Sequence, residues 1–383
     1  MTDSIEPFRV AVPDEDLADL RRRLEATRFP DQIPGTGWEL GTELAYAKEL
    51  VAYWRDEFDW RAAEARLNAF EQFRTTIDGQ RIHFIHARSP HPGAHPLLIS
   101  HGWPGSVAEF LKVIGPLVDP ESHGGSAADA FHVVVPSLPG FGFSDPTRER
   151  GWTSGRIADA FAVLMSRLGY TRYGAQGGDW GAVITTELAV RDAEHLSGIH
   201  LNMPLAMPPR GEDAVELSDA EKATLAEAAQ WQKEETGYQK IQGTRPQTLG
   251  FGLNDSPAGL AAWLAEKFRA WMDCEGEIER VISKDELLCN IAIYWFTRTI
   301  TSSTRIYYET FNGGDLPIRN QRIEVPTGCA IFPKEPIRFP RSWVECSYAV
   351  THWSEMERGG HFAALEQPEM FVEDVRAFYR GLR

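Results

Sequence analysis

Near the middle of the chain the sequence runs Ala175-Gln176-Gly177-Gly178-Asp179-Trp180-Gly181-Ala182. A short strand ends about Ala175, and Ala182 to Val190 reads as a helix, so Gly177 to Gly181 forms a strand-to-helix turn. Its spacing is that of a nucleophile elbow, usually G-x-S-x-G. Such a turn crowds the backbone around its central residue, and small residues are needed two before and two after. Gly177 and Gly181 fill those places, while the centre holds Asp179 instead of serine.

That exchange alters the chemistry. A carboxylate attacking an ester would give an anhydride, a poor intermediate. Attack on an sp³ carbon gives an alkyl ester, which water then hydrolyses. Epoxides and alkyl halides are the substrates that fit. The positive end of the following helix favours charge at Asp179. The five residues would equally suit a plain N-cap aspartate at a tight turn, so further features have to decide.

Three do. His101-Gly102-Trp103-Pro104 follows the strand Leu97 to Ser100, where the backbone N–H of Trp103, with that of Trp180, is expected to form an oxyanion hole. His101 itself reads as structural. Gly359-Gly360-His361-Phe362 precedes the last helix, which makes His361 the best base among the 11 histidines. Its acid partner is expected at Glu335, just past the strand ending at Phe332, at the sheet end where active-site loops gather. Asp315 precedes that strand, and Glu355 and Glu357 follow no expected strand.

Working outward, residues 13–27 carry acids first and arginines later, a helix matched to its dipole. Residues 42–57 and 60–73 also read as helical and aromatic. Phe73 to Ile77 and Arg81 to Ala87 form a hairpin about Asp78-Gly79, and His83 and His86 are ordinary strand residues there. A rhythm of short strand, turn and helix follows, including Phe131 to Val135 and the helix Ile157 to Leu168, which indicates a parallel sheet with crossover helices. From about 205 to 300 the rhythm gives way to a helical, Trp-rich insertion, read as a lid. Strand character returns at Val325 to Phe332, and an amphipathic helix closes the chain at about 367–380.

Composition excludes several classes. The 383 residues carry a formal charge of −16, which argues against nucleic-acid binding and against docking on anionic membranes. No stretch is long and apolar enough for a transmembrane helix, and no signal peptide is read at the N-terminus. Cys274, Cys289, Cys329 and Cys346 lack metal-site spacing and suit a reducing compartment. A cytoplasmic location is expected, with neither cofactor nor metal.

Taken together, these motifs resemble the microsomal-type (juvenile-hormone-type) epoxide hydrolase family, in a soluble bacterial form, over nearly the whole chain. Trp60-Arg61, Glu64, Leu67-Asn68, Phe70 and Phe73 are similar to its N-terminal signature. His101 to Ser106 resembles its oxyanion loop, Gly178 to Gly181 its nucleophile motif and Gly359 to Glu366 its histidine motif. The resemblance implies an α/β-hydrolase fold: a mostly parallel eight-stranded sheet flanked by helices, with a helical lid and an N-terminal helical/meander extension. The expected division is 1–90 for the N-terminal domain, 91–204 and 301–383 for the two parts of the core, and 205–300 for the lid. It implies a cis Trp103-Pro104 bond. It also implies two lid tyrosines that bind the epoxide oxygen beside Trp103. Tyr238 in Thr236-Gly237-Tyr238-Gln239 matches the first, and Tyr307 the second, with Tyr308 adjacent. Without the family, both would pass for packing residues. The implied reaction is epoxide to vicinal diol through an ester on Asp179, hydrolysed by water that His361 and Glu335 activate. Partners are a small epoxide and water, and the chain is expected as a monomer or homodimer. A haloalkane dehalogenase using the same aspartate is the alternative. It would offer Trp or Asn donors to a halide.

Overall fold

The computed structural model describes residues 4–209, 215–313 and 321–382. The chain begins with β1 (Ile5–Phe8), followed by α1 (Asp14–Glu25), α2 (Leu44–Asp56) and α3 (Trp60–Leu67). Helix α1 starts on Asp14, Glu15 and Asp16 and ends on Arg22 and Arg23, each sign at the dipole end it stabilises. The aromatic run over 60–73, expected to be helical, divides instead: α3 stops at Leu67, and β2 (Gln72–Ile77) has begun before Phe73. β2 turns into β3 (Gln80–Ala87) through Asp78 and Gly79, with φ of 50° and 74°. Positive φ at both turn positions is the conformation that matches the twist of a two-residue hairpin.

The core follows as β4 (His95–Ser100), α4 (Leu111–Val118), β5 (Phe131–Pro136), α5 (Ser154–Arg167), β6 (Tyr173–Gly177), α6 (Trp180–Arg191) and β7 (Leu196–Leu201). Six helices then come in succession: α7 (Asp219–Glu234), α8 (Gly237–Thr244), α9 (Pro246–Leu253), α10 (Pro257–Trp271), α11 (Lys284–Thr297) and α12 (Ile300–Asn312). The helical run therefore continues past residue 300, where the lid was expected to end. The sheet resumes with β8 (Ile323–Ile331), α13 (Arg341–Ser347) and β9 (Tyr348–Glu355), and the chain closes with α14 (Ala363–Glu366) and α15 (Pro368–Arg380).

The strands form one sheet in the order β1-β2-β3-β5-β4-β6-β7-β8-β9. The first three pair antiparallel and β3 meets β5 antiparallel, whereas β5 through β9 are parallel. Among the described residues the sheet has nine strands, one more than expected, and the additional one is β1. It is four residues long and includes Pro7, too short for a readable period, and its edge position tolerates the missing N–H. Within the parallel part Leu97, Leu98, Ile99, Val133, Val134 and Val135 are all fully buried, as strands covered on both faces require.

The order reversal around β4 and β6 opens a crevice at their carboxyl ends, the usual ligand position in such sheets. The turn from β6 into α6 sits there. A Cβ at Gly177 would run into the carbonyl oxygen of Gly181, and a Cβ at Gly181 into that of Ser100. Both obstacles are backbone, so neither can rotate away. Gly181→Ala is expected to lower the unfolding free energy by about 3 kcal/mol, in the range of forced overpacking, as read by urea denaturation. Unchanged stability would mean the turn is looser than described.

Candidate active site

Asp179 occupies the elbow with φ 51° and ψ −131°, a strained conformation for a residue with a Cβ. The strain lifts its carboxylate out of the turn. Oδ1 accepts a hydrogen bond of 2.7 Å from the backbone N–H of Trp103, and Oδ2 lies 3.3 Å from His361 Nε2. The two oxygens thus face different partners. Of the two amides expected at Asp179, only that of Trp103 reaches it among the described residues. The Trp180 N–H opens α6 and makes no bond to it. The Trp103-Pro104 peptide is cis, as expected.

The oxyanion loop is held from the lid. Asn290 Nδ2 donates to the Pro104 carbonyl at 2.8 Å, its Oδ1 accepts from Ser106 Oγ at 2.7 Å, and the Tyr294 hydroxyl donates to the Gly105 carbonyl at 2.6 Å. Three hydrogen bonds therefore tie the loop to α11. His101 is buried, with Nε2 accepting the Leu138 N–H at 3.2 Å. It is a structural residue, as read from the sequence.

On the far side of Asp179, His361 Nδ1 faces both oxygens of Glu335, at 2.9 and 3.1 Å. Glu335 is itself buried on the loop after β8 and accepts the Ile337 N–H at 3.2 Å. Burial opposes a charge on the imidazole, but the carboxylates of Glu335 and Asp179 outweigh it and hold its pKa well above the usual range. Of the other acids weighed, Glu355 meets Trp353 Nε1 at 3.4 Å instead of the histidine. Asp315 lies outside the described residues.

The lid supplies Tyr238 from α8 and Tyr307 from α12, both buried. The Tyr238 ring stacks on Trp103 at 5.2 Å, the Tyr307 ring stands edge-on to Trp180 at 4.9 Å, and the two tyrosines meet at 5.9 Å. Burial, reinforced by the charge of Asp179, raises both phenol pKa values, so both hydroxyls keep their protons and can donate. Tyr308 is only partly buried and does not line the cavity. That cavity, about 130 Å³, gathers Asp179, Tyr238, Tyr307, Glu335 and His361 with an apolar wall that includes Trp231, Leu205 and Ile337. A roomier hollow of about 300 Å³ between α3, α4 and α11 lacks Asp179 and His361 and is not the reacting site.

Some neighbours were not foreseen from sequence. The carboxyl of Glu109, pushed up to about 8 by burial, lines a small hollow behind Asp179 and His361. Lys267 sits almost fully buried on α10, with Nζ 4.8 Å from the Tyr238 ring centroid and 2.8 Å from a Glu266 oxygen. A charged residue on the buried stripe of a helix is the signal that pattern reading could have flagged.

Comparison with known proteins agrees with this geometry. Residues 5–110 match the family described as Epoxide hydrolase N terminus, and residues 95–241 match the alpha/beta hydrolase fold. A Stigmatella aurantiaca protein provisionally named an epoxide hydrolase is 50% identical over 384 residues, covering 99% of this chain and 86% of that one. Epoxide hydrolase 1 of Sus scrofa is 40% identical, covering 98% of this chain and 88% of its own. The crystal structure of juvenile hormone epoxide hydrolase from the silkworm Bombyx mori superposes with a TM-score of 0.91 at 33% identity, covering 100% of this chain and 95% of that one. The chain belongs to the epoxide hydrolase family and has the α/β-hydrolase fold.

Proposed function

We propose that the protein converts epoxides to vicinal diols through a covalent ester on Asp179. The observation that carries this reading is the division of the Asp179 carboxylate. One oxygen rests on the Trp103 amide and the other points toward His361, facing two protonated tyrosines across a small, largely apolar cavity.

The roles follow from position. Tyr238 and Tyr307 donate hydrogen bonds to the epoxide oxygen and stabilise the alkoxide as the ring opens. Asp179 Oδ2, the oxygen not held by an amide, attacks a ring carbon. The C–O bond of the epoxide breaks, and its oxygen takes a proton from one of the tyrosines, whose own proton is replaced by the one that His361 releases. Esterification removes the negative charge of Asp179, one of the two that favour imidazolium, so His361 then gives up its proton more readily. Oriented by Glu335, it accepts a proton from water, which attacks the ester carbonyl. Oxyanion charge falls on the Trp103 amide, with Trp180 the second donor once the carbonyl moves toward α6. The acyl C–O bond breaks, the departing alkoxide takes the imidazolium proton to complete the diol, and the Asp179 carboxyl passes its own proton to His361, which restores the starting state.

The chain is read as a member of the microsomal-type (juvenile-hormone-type) branch, supported by the N-terminal match and by the likeness to the silkworm enzyme. Residues 1–90 act as an N-terminal domain that braces the helical lid, which begins at about 205 and, with Tyr307 on α12, extends past 300. No described helix is long and apolar enough to cross a membrane. All four cysteines are free, which suits the cytoplasm.

Purified protein given a panel of aryl and alkyl epoxides is expected to form diols, while Asp179→Ala forms none. Halide release from haloalkanes without diol formation would instead make it a dehalogenase. In single-turnover measurements Tyr238→Phe or Tyr307→Phe is expected to slow ester formation about 100-fold, the cost of losing one oxyanion donor. Hydrolysis of a preformed ester should stay within about threefold of wild type, because those donors act mainly in the first step. Equal slowing of both steps would show that the tyrosines only support the fold.

A further inference from the structure

His361 sits in a loop with little of its own to hold it. Gly359 has φ of 106°, and Gly360 is pressed so closely on the Trp271 carbonyl that a Cβ there would collide. Two adjacent glycines offer no side chain to pack, so hydrogen bonds must fix the loop.

Of the four N–H groups from Gly359 to Phe362, two bond to Glu366. Its Oε2 accepts the N–H of Gly360 at 3.0 Å, and its Oε1 accepts that of Phe362 at 2.8 Å. The carboxylate therefore grips the backbone immediately before and after His361. Its third bond, 2.8 Å from the Asp273 N–H to Oε2, reaches the lid just beyond α10. The lid answers with two bonds of its own: His361 N–H donates to the Trp271 carbonyl at 3.0 Å, and Gly359 N–H to Asp273 Oδ2 at 2.9 Å. The Trp271 ring then packs edge-on against the imidazole at 5.0 Å. Glu366 is buried, so an acceptor lost there is not replaced by bulk water.

We infer that Glu366 is a positioning residue for the second half-reaction, a buried carboxylate that fixes the backbone on both sides of His361 and joins that loop to the lid segment Trp271–Asp273. Ester formation needs Asp179 and the tyrosines, none of which Glu366 touches. Ester hydrolysis needs His361 Nε2 aligned on a water molecule, and that alignment passes through the loop. The inference rests on His361 being the base that activates water.

Glu366→Gln tests it, because an amide presents one acceptor oxygen where three N–H groups require two. Rapid-mixing single-turnover experiments with styrene oxide would follow ester formation and ester hydrolysis separately in the full-length enzyme. Ester formation is expected within about threefold of wild type, with hydrolysis slowed roughly 10- to 100-fold, the scale of an ångström of misplacement, so that the ester accumulates. Asp273→Ala, at a half-buried lid position, removes the tie to Gly359 and should act in the same direction more weakly, which gives a second test should Glu366→Gln not fold. Hydrolysis at the wild-type rate in either folded variant, or equal slowing of both steps, would overturn the inference. Failure of the wild-type enzyme to form any ester would instead overturn the proposed reaction.

Discussion

Everything catalytic in this molecule hangs on the turn from β6 to α6. Asp179 can hold φ of 51° only because the flanking backbones close in without side chains between them, Gly177 against Gly181 and Gly181 against Ser100. Held that way, the carboxylate is presented with its oxygens in different surroundings, an amide on one side and an imidazole on the other. A relaxed turn would let the carboxylate rotate and mix the two environments. The strained backbone therefore does for the nucleophile what side-chain packing does elsewhere.

The lid completes the site by more than covering it. Asn290 and Tyr294 on α11 hold the oxyanion loop through three backbone and side-chain hydrogen bonds. The segment after α10 holds the histidine loop, and α8 and α12 bring the tyrosines. Each stage of the proposed reaction thus depends on groups supplied by the core and on bonds supplied by the lid. The tyrosines are kept protonated by burial, whereas the imidazole is kept protonated by its neighbouring carboxylates despite burial. The same dry setting favours donors at the tyrosines and a switchable base at His361.

The sheet's parallel half, the hairpin at Asp78-Gly79 and the elbow itself were legible in the sequence, because each rests on a local pattern of strand length, turn residues or glycine spacing. His361 and Glu335 were legible through chain order and strand ends. Tyr238 and Tyr307 were not legible from periodicity, since both lie on helix faces that bury aromatic residues for ordinary packing. Only the family resemblance singled them out. Strand β1, at four residues, is too short to carry a period, and the end of α3 is masked because Phe70 and Phe73 continue an aromatic run beyond it. The role of Asn290 was invisible for another reason: its partners Pro104 and Ser106 lie far off in the chain, and no window of sequence brings them together.

Through a covalent ester, the diol takes one oxygen from Asp179 and not directly from water. A single turnover with enzyme in excess over styrene oxide, run in ¹⁸O-labelled water, tests it directly by mass spectrometry of both product and protein. A covalent ester gives unlabelled diol in that first turnover and one ¹⁸O gained in the peptide that carries Asp179. Labelled diol with an unlabelled Asp179 peptide would mean that water attacks the epoxide itself, and the covalent mechanism would have to be abandoned.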